Sequence, residues 1–402
     1  MLRNILSTAA AATLLATGLA TPPAGASLPA VDAGQVTAFA AATGLAVPAA
    51  RDYFALTAAV GDLQAAGEAA FPATFAGVWR TPADGGLVHV AFTRDAAAST
   101  ALVAAGFARP GLLRVVTART SLRDLSALQD RVVAALPART PATVGVDVAA
   151  GAVAVETPAV AAVTRALADA LPGAPVTVTA GRPAAPMASA CSGRICPGSA
   201  YGGLSLIGTN GANAYSCTSG FDATSVATGL AVLVTAGHCF ASNGLATNFG
   251  IPIGPVTTRV WPGGDAEVIQ QLPAYLPTND VVWTAGGQHV AVLRVVGRGV
   301  TEAVGAAVCR TGITTENQCG TISALNVTVT YVSGEVVNGL TRSSACVQPG
   351  DSGGPYMSGN DAYGITSGGT VGACGAGTYS LYNPAWQVES SLGARINTSA
   401  LL

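Results

Sequence analysis

The chain contains no lysine, so all of its side-chain positive charge sits on 19 arginines. Charged residues amount to only 10% of the sequence, the net charge is −2, and no basic tract occurs. Nucleic acids and anionic membranes are attracted by clustered positive charge, so neither is an expected partner. Histidine is scarce as well, with His89, His238 and His289 the only three. Paired Cys-x-x-Cys and Cys/His metal spacings are missing, so no metal and no cofactor is expected. Beyond the N-terminal segment no run approaches the roughly 20 apolar residues that span a bilayer. Cysteine is absent from the first 190 residues, and all eight fall at or after Cys191.

What is present divides the chain into parts. Its 402 residues are long for one globular unit and suggest two plus processing segments. Residues 1–26 read as a secretory signal: Arg3 is the positive start, an Ala/Leu-rich stretch runs to Ala20, and Ala24-Gly25-Ala26 offers small residues for cleavage. The expected location is extracellular, where an even cysteine count argues for disulfides. Eight cysteines allow roughly a hundred connectivities, and the count does not choose among them.

From Ser27 to about Arg182 helical and strand-like segments alternate. Helices are expected over 51–70, 121–136 and 158–171, with strands over 86–92 and 176–179 and alternating valines over 144–155. Together they predict a compact α+β region of its own. A Gly/Ser-rich linker follows through Gly203, and processing is expected between Ala180 and Cys191, with no residue marking the bond. Beyond it, many short Val/Thr/Ile runs broken by Gly, Pro and Asn predict an all-β domain.

Two short motifs carry the chemistry. Thr235-Ala236-Gly237-His238-Cys239 precedes Gly350-Asp351-Ser352-Gly353-Gly354-Pro355. A serine hydroxyl is a poor nucleophile near neutral pH and needs a base to take its proton; histidine is the side chain that titrates there. A buried carboxylate must fix the imidazole tautomer, and His, Asp, Ser is one of the chain orders this machinery takes. Asp265 lies between the motifs. Its rival is Asp280, in Pro277-Thr278-Asn279-Asp280, which also suits an Asx turn. Glycine before Asp351-Ser352 permits a tight turn, and the backbone amides of Gly350 and Ser352 are the expected donors to a developing oxyanion. His89 reads as a strand residue and His289 as a surface turn residue after Gly286-Gly287-Gln288.

With these motifs in place, the chain resembles the chymotrypsin-like serine proteases, and more closely their bacterial α-lytic protease and streptogrisin branch. Val260-Trp261-Pro262-Gly263-Gly264-Asp265, the block from Gly305 to Gly312 with Cys319-Gly320-Thr321-Ile322, and Ser367-Gly368-Gly369 are similar to stretches of that branch. Phe75-Ala76-Gly77-Val78-Trp79 resembles part of its pro-region. The resemblance implies an all-β mature domain of two six-stranded antiparallel barrels with the triad between them, over 187–402. A small α+β pro-region over 27–186 precedes it, assists folding and blocks the cleft. It further implies disulfides Cys217–Cys239, Cys309–Cys319 and Cys346–Cys374, which leaves Cys191 with Cys196. A bidentate Arg310–Asp351 pair is implied beside the oxyanion site, and a specificity pocket that includes Val347, Thr366, Ser367, Gly368 and Gly369. None of these pocket residues is a carboxylate or a histidine, so a neutral, small-to-medium apolar side chain is expected there. Gln348-Pro349 departs from the family pattern at the pocket mouth.

The function implied is endoproteolysis of protein or peptide substrates, with the pro-region as a further partner and a monomer after maturation. Two other classes stay open. One is a secreted binding protein that keeps the fold without turnover. The other is an α/β-hydrolase esterase, which wants the order Ser, Asp, His that this chain lacks.

Overall fold

The computed structural model describes residues 31–186, 200–210, 213–285, 288–295, 297–298 and 301–399. The expected signal segment and the Cys191–Cys196 pair lie outside the described residues. The first helix, Ala33–Thr43, begins where the Asp32 side chain accepts the Gln35 N–H and stops at Gly44 in the left-handed conformation. The helix expected over 51–70 starts earlier, at Val47, because Pro48 presets the first turn. It is divided at Leu56 into Val47–Ala55 and Thr57–Ala70. Among the described residues no single helix is long and apolar enough to cross a membrane.

Strands Phe75–Arg80, Val88–Phe92 and Leu113–Thr117 form a three-stranded sheet. The expected helix over 121–136 is Leu122–Ala135, with the Ser121 hydroxyl accepting the Asp124 N–H at 3.2 Å. The alternating valines make a hairpin, Ala142–Asp147 with Ala152–Thr157, and helix Val160–Ala170 crosses over to the parallel strand Val176–Ala180. This region packs two apolar clusters of its own, one around Val60, Phe75, Val90 and Phe92 and one around Val132, Val144, Val155 and Val163, and its hairpin also extends a sheet of the later part of the chain. The 15-residue strand Glu316–Thr330 pairs its edge with Ala142–Asp147, setting Thr328 opposite Val144. A strand that long leaves unpaired amides beyond its other partners, and a further strand satisfies them. Val36 and Phe39 of the first helix are likewise buried in one cluster with Phe221, Val234, Trp283 and Ile365.

Among the described residues, the later part of the chain is built mainly of strands, with one helix, Ala385–Leu392. An eight-stranded sheet holds, in spatial order, Ala394–Ile396, Asp222–Ser225, Ala231–Thr235, Ala266–Gln270, Ile251–Val260, Leu245–Asn248, Ser205–Asn210 and Asn213–Thr218. In a ten-stranded sheet Ala307–Gly312, Pro355–Ser358, Asp361–Thr370, Ser380–Pro384, Val336–Ser343 and Glu316–Thr330 follow one another. Glu316–Thr330 also pairs with Ala307–Gly312. His289, expected in a surface turn, instead lies in strand Gln288–Arg294, where its backbone pairs with Thr284 of Asp280–Ala285.

Three disulfides join Cys217 to Cys239, Cys309 to Cys319 and Cys346 to Cys374, the pairing the resemblance implied. Each is worth about 2–4 kcal/mol, largely by restricting the unfolded chain. Cys217–Cys239 matters most to the site, because it ties down the residue after His238.

Candidate active site

His238 occupies the turn that follows strand Ala231–Thr235. The turn is held from three sides: by the Cys239 disulfide, by Arg259 Nε donating to the Gly237 carbonyl at 2.5 Å, and by Asp265 Oδ1 accepting the His238 N–H at 3.0 Å. Glycine is required at 237, since a Cβ there would stand 2.4 Å from the Val260 carbonyl oxygen and 2.8 Å from the Ala266 nitrogen. Any side chain would therefore push the histidine turn off the segment that carries Asp265.

The three residues proposed from sequence converge. Asp265 is wholly buried, and its carboxylate oxygens lie 3.0 and 2.9 Å from His238 Nδ1. On the far side of the ring, Nε2 is 2.7 Å from Ser352 Oγ. The carboxylate can only accept, so Nδ1 carries the proton and Nε2 is left to accept from the serine hydroxyl. Asp280, the rival acid, opens strand Asp280–Ala285 and sits 3.5 Å from Arg294, outside this cluster. His89 is on strand Val88–Phe92 as expected, bonded to Asp84 at 2.9 Å and stacked on Trp79.

Sequence reading missed the layer behind the triad. Ser367 Oγ donates to Asp265 Oδ2, and Tyr331 Oη lies 2.6 Å from Ser367 Oγ. Because the serine proton is committed to the carboxylate, the tyrosine donates to the serine. Burial first, and the Asp265 charge second, push the Tyr331 phenol well above its ordinary pKa, so it keeps its proton. Trp261 covers the imidazole, ring centroids 5.3 Å apart. Burial likewise raises Glu267, two residues beyond Asp265, well above the carboxylate range, against the opposing pull of Arg259. Tyr331 ends a plain Val/Thr alternation, and no local signal marks it.

At the serine turn, Gly350 has φ 102°, a conformation that favours glycine. Asp351 is fully buried and its carboxylate accepts from Arg310 Nη2 at 2.9 Å, the Thr314 and Thr315 amides, the Thr315 hydroxyl and the Gln348 amide. The Arg310 pair is single, not bidentate as expected, because Nε turns to the Cys346 carbonyl at 2.7 Å. The Asp351 N–H donates to Gln348 and the Gly353 N–H to Thr366, while the Gly350 and Ser352 amides make no hydrogen bond among the described residues. An Arg310→Met substitution leaves Asp351 buried without its counter-charge. The expected cost is about 3–5 kcal/mol, measured as a lowered urea midpoint in a Ser352→Ala background that prevents self-digestion; an unchanged midpoint would show that the neutral donors suffice.

The pocket residues named from sequence lie together, with two refinements. Val347 and Thr366 are buried, and a Cβ on Gly369 would stand 2.4 Å from Val347 Cγ1. The Thr366 hydroxyl, however, donates to the Gly354 carbonyl at 3.0 Å, and that of Ser367 is turned to Asp265. Those two side chains therefore serve the site's frame. The sulphurs of Cys217 and Cys239 lie close to the His238 ring, but both are consumed by their disulfide and offer no thiolate to a metal.

Comparison with known proteins extends this local agreement. The family described as Trypsin matches residues 212–391. Streptogrisin-C of Streptomyces griseus is 43% identical over 133 residues, which is 31% of this chain and 29% of that protein. The solved structure of a Nocardiopsis protease aligns with 49% of the chain and 98% of its own length, at 38% identity and a TM-score of 0.43. The chain spans between 29% and 56% of the length of the first curated relatives it matches. Serine protease 2 of Streptomyces fradiae is 33% identical over 168 residues, and those residues make up 40% of this chain and 90% of that shorter protein. A relative matched over nine-tenths of its length at that identity places the chain, by descent, among the bacterial chymotrypsin-like serine proteases.

Proposed function

We propose that this chain is a secreted serine endopeptidase, made as a zymogen, that hydrolyses peptide bonds through His238, Asp265 and Ser352. The observation that carries the reading is the continuous chain of contacts from Asp265 through both ring nitrogens to Ser352 Oγ, 2.9 Å on one side and 2.7 Å on the other. As Ser352 Oγ attacks a substrate carbonyl, His238 Nε2 takes its proton and Asp265 stabilises the imidazolium. The amides of Gly350 and Ser352 receive the oxyanion, and the ring returns the proton to the leaving nitrogen. Water then releases the acyl group by the same steps in reverse order.

In this reading residues 1–26 are the signal, 27–186 the pro-region and 187–402 the protease, with Cys191 bonded to Cys196. The two strand systems correspond to two six-stranded antiparallel barrels, supported by the return of Glu316–Thr330 onto Ala307–Gly312. The pocket beside Val347 takes a neutral, small-to-medium apolar side chain, and the matured enzyme is a monomer. A fluorophosphonate that esterifies activated serines is the direct test. Wild type should carry the label on Ser352 and clear casein, and Ser352→Ala should do neither; equal clearing of casein by both proteins would end the proteolytic reading.

A further inference from the structure

Glu267 is a carboxylic acid in a place that suits an apolar side chain. It lies on strand Ala266–Gln270, opposite Thr235 of Ala231–Thr235 on one side and Arg259 of Ile251–Val260 on the other. Ile269, two residues on and so on the same face, is buried with Leu233, Cys239 and Phe240 in an apolar cluster. Glu267 is itself 0% exposed, and among the described residues no side chain hydrogen-bonds to either carboxyl oxygen. Burial disfavours its charge most; Arg259 opposes that, Asp265 adds to it, and the Phe240 amide opposes it more weakly. A buried carboxyl with so few partners costs free energy that something else must offset. The cation placed to do so is Arg259, whose Nε stands 3.9 Å from Oε2.

Arg259 touches both parts of the site that hold the His238–Asp265 contact. Its Nε donates at 2.5 Å to the Gly237 carbonyl, in the peptide that joins Gly237 to His238. Its own strand leads through Trp261 to Asp265, and the pairs Val260 with Ala266 and Arg259 with Glu267 close the neck of that loop. One guanidinium therefore ties the turn carrying the imidazole to the base of the loop carrying the carboxylate. Its side chain is 20% exposed, so the alternative open to it is water. A guanidinium is planar and its donors point in fixed directions, so a charge aligned beside it fixes where Nε points. At 3.9 Å the carboxyl is beyond hydrogen-bond distance and acts by charge, which is felt more strongly away from water.

We propose that Glu267 and Arg259 are a positioning pair for His238: the acid holds the guanidinium, and the guanidinium holds the Gly237 carbonyl so that Nε2 meets Ser352 Oγ. This rests on the proteolytic reading above and adds to it two residues that do not touch the reacting atoms. Misplacing a catalytic ring by about 1 Å costs on the order of 100-fold in rate. Replacing a buried charge by an apolar side chain, in contrast, is often neutral or stabilising. Activity and stability should therefore part company at Glu267.

The test compares wild type, Glu267→Leu, Arg259→Met and the double variant. Each is assayed for kcat and KM on a peptide anilide after the same maturation treatment, and for thermal unfolding as the full chain in a Ser352→Ala background. Glu267→Leu should unfold at the temperature of wild type or above, yet lose at least about tenfold in kcat with KM little changed. Arg259→Met should lose as much in kcat and unfold at a lower temperature, because Glu267 is left buried without its counter-charge. The double variant should regain the unfolding temperature and keep the low kcat, no lower than either single variant. A Glu267→Leu enzyme within tenfold of wild-type kcat, a Glu267→Leu chain that unfolds earlier than wild type, or losses that multiply in the double variant would overturn the pair while the proteolytic reading stands. A wild type that cleaves neither the anilide nor casein overturns both.

Discussion

His238→Ala is expected to lower kcat by a factor on the order of 10⁶, as removal of a triad base does when nucleophile and base act as a unit. The physical cause is the 2.7 Å contact between Nε2 and Ser352 Oγ. Without it the hydroxyl keeps its proton at neutral pH, and the attacking group is an alcohol. The residual rate should still exceed that of water by about 10³–10⁴, from the backbone donors and substrate binding. The variant is assayed with a peptide anilide after the same maturation treatment as wild type. The double variant with Ser352→Ala should lose nothing further, since each change disables the same step. A single-variant loss below tenfold, or additive losses in the double variant, would show that the contact is structural.

Asp265→Asn should lower kcat by about 10⁴ while leaving the fold in place. Asparagine is nearly isosteric, so Oδ1 can go on accepting the His238 N–H that lies 3.0 Å from it. The amide nitrogen, however, is a donor, and beside Nδ1 it selects the imidazole tautomer with the proton on Nε2. That proton points at Ser352, and the ring can no longer accept from the hydroxyl. KM should change little, because no substrate group touches this buried carboxylate. The check is kcat and KM together with thermal unfolding; activity within tenfold of wild type at unchanged stability would mean that the aspartate does not set the tautomer.

The parts of the site that could be read from the sequence are those whose chemistry is local. His238 is marked by its Ala-Gly and its cysteine, Ser352 by the glycines around it, and Asp265 by its place between them. Each sits in a turn whose shape is written in neighbouring residues, so a few letters suffice. Arg310 beside Asp351 was legible only through resemblance, and its geometry was not: the guanidinium divides itself between a carboxylate and the Cys346 carbonyl, a choice set by backbone that comes from elsewhere. The helices over 122–135 and 160–170 were legible for the same local reason, a 3.6-residue apolar rhythm bounded by a cap or a proline. The division at Leu56 was not, because the same rhythm runs on through it.

The sequence by itself determined the residue types of the reaction, their order, the export-compatible cysteine pattern and the all-β character of the later half. The tertiary structure decided everything that depends on segments far apart in the chain. Ser367 and Asp265 are 102 residues apart and Tyr331 and Ser367 are 36 apart, and no local pattern states that these groups meet. The same holds for Ala142–Asp147 extending the ten-stranded sheet and for Ala184–Pro186 lying on Asp361–Thr370. Propensity and periodicity act within a few residues, whereas strand partners are chosen by which unpaired edges and buried faces the whole fold brings together.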